Sequence, residues 1–268
     1  MMWTPYLRLA TGGALMMVLA ACGEGPSEPG DDAAELATFD VAAVAGDQTF
    51  EDLAAMRHHQ GALGALHGPV PRFGTWSDDC SYNSASATFV CPTSTHNAAT
   101  HSRSYQLFDA AGTPQSAYDP ATTASVVFNI SLNGALSHQA FTATFGRERT
   151  LTVSGLEGAE TTRSWSGTAS SALSRTTHPD RVRSRNYVMS STGVISELVV
   201  PHPFADAAWP LSGTIARTVN YSREGARGPG RAGSRAVSIT FNGTQFVPMT
   251  VNDRAFTLDL ATGKPVRD

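Results

Sequence analysis

Lysine is almost missing from this chain: Lys264 is the only one among 268 residues, and the other 18 bases are arginines. Charge of either sign is scarce, at 16% of residues against a usual value of about 25%. Ser, Thr, Ala, Gly and Asn take its place, a mixture that suits a secreted β-rich protein from a GC-rich coding background. The common catalytic signatures are missing too. The sequence holds no G-x-S-x-G elbow, S-x-x-K, H-E-x-x-H or phosphate-binding P-loop, so it offers no recognised nucleophile or metal set. No apolar run reaches the ~20 residues of a membrane-spanning helix.

The net charge of −4 conceals an asymmetry. Residues 23–52 carry nine acids (Glu24, Glu28, Asp31, Asp32, Glu35, Asp40, Asp47, Glu51, Asp52) and no base, while residues 53–268 carry 18 bases and 14 acids. The body's excess is too small to argue for nucleic acid, which calls for a domain isoelectric point above about 9.

Residues 1–22 have the layout of an export signal: Arg8, then the apolar run "LATGGALMMVLAA", then small residues before a cysteine. The four residues Leu19-Ala20-Ala21-Cys22 resemble a bacterial lipobox. That resemblance implies a signal peptide over 1–21 and an acylated Cys22 as the mature N-terminus, with lipid chains enough for stable anchoring. Gly23 in place of Asp implies, by the same resemblance, the outer membrane of a cell envelope. With Cys22 lipidated, Cys80 and Cys91 remain to pair in an oxidising compartment. A hairpin turn at Ala85-Ser86 would set Cys80 opposite Cys91 and Tyr82 opposite Phe89, all on one face.

Residues 22–47 read as an acidic, flexible tether, and 48–268 as a single domain. One helix is expected, "TFEDLAAMRHHQGALGALHGP", with Thr49 and Asp52 as a capping box and Gly68-Pro69 as the stop. Beyond residue 73 the period falls from 3.6 to 2. "TASVVFNISLN" places Ala124, Val126, Phe128, Ile130 and Leu132 on one face, and six further segments alternate in the same way. Without a second helix between strands, the fold class is mainly β. It is a large antiparallel meander, a curved sheet or half-barrel or else a sandwich, with one N-terminal α-helix packed on it. Its element order resembles periplasmic lipoprotein carriers of the LolA and LolB type, an expectation about layout alone. At the C-terminus, two-residue turns at Asn242-Gly243 and Asn252-Asp253 would pair Ile239 with Phe246 and Met249 with Phe256. The middle strand would then switch faces, with a break in pairing at Val247-Pro248.

The partial chemical signals are weak. His58, His59 and His67 lack a third ligand or an orienting carboxylate. Asp78 and Asp79, as strand neighbours, would face opposite ways. Trp76, Trp165 and Trp209 are dispersed, and Arg181, Arg183 and Arg185 alternate as on a solvated strand face. Arg223, Arg227, Arg231 and Arg235 lie in a Gly-rich stretch that would suit an anionic partner or serve as a soluble hairpin connection. The sequence thus points to a non-catalytic envelope lipoprotein for binding or scaffolding, with the membrane as partner through its lipid. An envelope protein or an apolar ligand carried in a half-barrel cavity is a further partner. An unrecognised hydrolase is the remaining alternative, and no cofactor, metal or nucleic acid is implied.

Overall fold

The computed structural model describes residues 31–65, 80–96, 98–138, 141–157, 160–177, 185–203, 208–224 and 231–267. It opens with one long helix, α1 (Asp31–Ala65). Val41, Ala42, Ala45, Leu53 and Met56 form its buried stripe, all at most 1% exposed. The helix therefore starts well before Thr49 and includes residues 31–47 of the expected tether. Thr49 is no cap: its Oγ1 donates to Ala45 O at 2.8 Å, within the helix. The early turns escape a hydrophobic-period reading because most of their buried residues are small.

Fourteen strands follow: β1 (Ser81–Asn83), β2 (Thr88–Val90), β3 (Ser94–His96), β4 (Ala99–Asp109), β5 (Pro114–Gln115), β6 (Thr123–His138), β7 (Phe141–Ser154), β8 (Thr162–Thr177), β9 (Arg185–Pro201), β10 (Ser212–Glu224), β11 (Arg231–Thr240), β12 (Phe246–Val251), β13 (Arg254–Asp259) and β14 (Lys264–Arg267). All belong to one antiparallel sheet, ordered β1-β2-β4 and then β6 through β14 in sequence, with β3 and β5 attached to β4. A single sheet excludes the sandwich.

That sheet curls around α1. A methyl group on Gly46 would press into Gly263 O, in the β13–β14 turn, while Glu51 and Asp52 bind Arg147 and Arg149 of β7. Strands β7 and β14 are seven ladder steps apart, on the order of 33 Å if flat. Residues 46–52 cover only about 9 Å of a helix some 10 Å across. One short piece of helix touches both strands only if the sheet wraps it.

Burial follows the pleat. Val126, Phe128 and Ile130 are buried on β6, and Val247, Met249 and Val251 on β12. The Asn252-Asp253 turn has two residues, Asn252 adopts φ 50°, and Met249 pairs with Phe256. The Asn242-Gly243 turn does not: Ile239 pairs with Met249, not Phe246. Phe241 is buried and donates its N–H to Gly213 O, while Gly243 N–H goes to Pro210 O. These bonds tie the connection to the start of β10 and lengthen the loop. Phe246 is consequently exposed, and β12 keeps one face inward throughout. Pairing at Val247 and Pro248 is broken on the β11 side alone, since both still pair with β13.

Gly46→Ala gives a direct test of the helix–sheet contact. Helix propensity alone would gain about 1 kcal/mol. The added methyl would also lie 2.9 Å from Leu258 Cδ1, and overpacking costs about 1–3 kcal/mol. Denaturant unfolding should show a net loss; a gain of stability would mean that α1 does not sit on Gly263.

Candidate functional site

The inner face carries charge as well as apolar side chains. Arg149, Ala169, Gly193 and Arg217 stand in one cross-strand row of β7–β10. Asp52 of α1 lies between the two arginines, accepting from Arg149 Nε at 2.6 Å and pairing with Arg217. Glu51 pairs with Arg147 and, at 3.5 Å, with Arg149. Gly193 leaves room for this, since a Cβ there would come within 3.0 Å of Arg217 Cγ. Gln48 donates to Ser171 Oγ at 2.6 Å. Burial raises the carboxyl pKa of Asp47, opposed by Arg147 and Lys264, and that of Asp40, opposed by Arg223. Burial, with Arg149 beside it, lowers the Arg147 guanidinium to about 10. The acids of α1 thus face cations of the sheet. The arrangement of Glu51 and Asp52 docks the helix on the sheet.

The opposite face is chemically plain. A groove of about 720 Å³ crosses β7–β12 there. Two rows line it: Thr150, Thr168, Val194, Ala216, Ser238 and Thr250, and beside them Glu148, Ser170, Thr192, Thr218 and Ala236. Serine and threonine are the commonest lining residues, Glu148, Asn252, Arg149 and Arg217 also border the groove, and no aromatic ring lines it.

Cys22 and Arg227 lie outside the described residues, as do His67, Trp76, Asp78, Asp79, Arg181 and Arg183; the side chains of His58, His59 and Arg185 do too. Cys80 and Cys91 form a disulfide, with Tyr82 opposite Phe89 as the spacing predicts. Arg103 donates to Cys91 Sγ at 3.2 Å, and burial lowers its guanidinium to about 10. From this hairpin an aromatic row runs inward, Tyr82–Phe89–Tyr105–Phe128–Trp165, with centroids 4.7–6.2 Å apart. Trp165 is a core residue, and Arg57 stacks over the Trp209 ring at 5.6 Å. Among the described residues no group of three or more His, Cys, Asp or Glu side chains is placed to hold a metal ion.

Arg223, Arg231 and Arg235 come together on the inner-face side of β10 and β11, with Arg223 directly opposite Arg231. Arg175 joins their row through Tyr187. Sequence reasoning missed Arg147, Arg149 and Arg217 as partners of α1. The available signal was the run of unbalanced acids over 23–52 beside a cationic body. No protein-family model, curated protein or solved structure matches the chain.

Proposed function

We propose that the chain is a non-catalytic cell-envelope lipoprotein, held to a membrane by lipid on Cys22, which binds or scaffolds an envelope partner through its β-domain. The observation that carries this is the occupation of the inner face. Leu53 and Met56 are fully buried beneath the curled sheet, and the acids of α1 are matched by its cations. This leaves the hydroxyl-lined groove of the outer face for a partner. It also weighs against a carrier of apolar ligands, since the helix fills the space such a cargo would need. The Cys80–Cys91 disulfide suits an oxidising compartment, and the lipobox-like Leu19-Ala20-Ala21-Cys22 supplies the anchor.

Two measurements test the reading. Cys22→Ala should abolish palmitate labelling and membrane retention, and retention without the cysteine would end the anchor hypothesis. Native mass spectrometry of the detergent-extracted chain should find the acylated protein alone. A stoichiometric apolar passenger would favour the carrier instead.

A further inference from the structure

The two ends of the sheet differ in charge, and α1 leaves by the arginine-bearing end. Asp40 lies beside Arg223 near the end of β10, Asp52 holds Arg217 at its middle, and Arg57 donates to Ala208 O, ahead of its start. The helix therefore runs antiparallel to β10, and Asp31 lies on the side where β6, β8 and β10 end. Cys22 is nine residues upstream of Asp31, at most ~30 Å of extended chain.

On that side Arg175, Tyr187, Arg223 and Arg231 form one cross-strand row, and Arg235 lies over the Tyr221 ring at 5.8 Å. Arg175 covers the Phe141 ring at 4.7 Å, yet its Nε is buried with no hydrogen-bond partner among the described residues. Asp40 acts on Arg223 from within, Glu224 and Asp253 are the exposed acids of the sheet nearby, and the first turns of α1 bring Asp31, Asp32 and Glu35 to the same end. At the far side stand Asp109, Asp119, Glu157, Glu160 and Asp259, while Arg163 is buried against Gly155 O and Lys264 pairs in register with Asp259.

Like charges set directly opposite on a sheet repel. A row that keeps Arg223 against Arg231 and leaves Arg175 underused is relieved by an anion from outside. Guanidinium forks match phosphate oxygens, and tyrosine beside arginine suits the boundary between headgroups and water. We propose that this arginine–tyrosine end is a membrane-contact surface that holds the phosphates of anionic lipid headgroups, setting the domain with this end against its own membrane. The proposal rests on the lipid anchor of the preceding section.

Trypsin supplies the test, because it cuts after arginine. The lipidated full chain is placed in vesicles of phosphatidylglycerol or of phosphatidylcholine, and cleavage at Arg223 and Arg231 is followed by mass spectrometry. Phosphatidylglycerol should slow cleavage by roughly tenfold or more, and high salt should remove the protection. Arg175→Gln with Arg235→Gln should weaken protection at Arg223 on phosphatidylglycerol and change nothing on phosphatidylcholine. Equal rates on the two vesicles, with palmitate label intact, overturn the proposal alone. Equal protection by inorganic phosphate added to phosphatidylcholine vesicles also overturns it, by showing a free-anion site. Absence of the label removes the anchor, and the proposal with it.

Discussion

Asp52→Ala should lower the free energy of unfolding by about 3–5 kcal/mol, the usual cost of removing one partner from a buried ion pair. The carboxylate is 1% exposed and lies between Arg149, itself 10% exposed, and Arg217, 2% exposed. Without it, Arg217 is left under the helix with no carboxylate partner among the described residues, and Arg149 keeps only Glu51 at 3.5 Å. Replacing the whole set by apolar residues (Asp52→Leu, Arg149→Met, Arg217→Met) should recover most of the loss, because desolvation of the pairs offsets much of their attraction. Chemical denaturation of both variants decides it. A single-variant loss below about 1 kcal/mol, as at a solvent-screened pair, would show that this cluster does not secure α1.

Trp165 gives the second large effect, and it should split by substitution. Trp165→Ala removes the largest fully buried side chain and breaks the stack with Phe128 at 6.2 Å, for a loss of about 3–5 kcal/mol. Trp165→Phe should cost under about 1.5 kcal/mol. The indole Nε1 is buried with no partner among the described residues, so its removal also removes an unmet donor. Comparable losses in the two variants would mean that the indole nitrogen is bonded in the folded protein.

Local pattern revealed the sheet; partnership did not reveal itself. Val126, Phe128 and Ile130 alternate so plainly that β6 follows from sequence, and the Cys80–Cys91 spacing gives the Tyr82–Phe89 register. Met249 finds Phe256 because Asn252-Asp253 closes a tight turn, and the bonds between Asn252 and Ala236 of β11 leave that register in place. Asn242-Gly243 has the stronger turn signal and still fails, because the Gly213 and Pro210 carbonyls claim the N–H groups of Phe241 and of Gly243 itself. Those claims come from a strand remote in sequence and outweigh a local preference. The early part of α1 was hidden for a similar reason: Asp40 and Asp47 read as a solvated tether until Arg223, Arg147 and Lys264 are seen near them. An arginine near the middle of an alternating strand gives no sign of what it faces.

The order of the meander sets a schedule for folding. Strands β6 to β14 each pair with the next in sequence, so the ladder grows by short-range closures, which are the fast kind. The helix is the exception. It precedes the whole sheet in the chain, yet it contacts β10 through β14, the last strands to appear. Until they do, Asp52 lacks Arg217 and the sheet's inner face stays open. Closure of α1 is then the slow, long-range step, and the interval before it is when the chain is most exposed to aggregation and proteolysis.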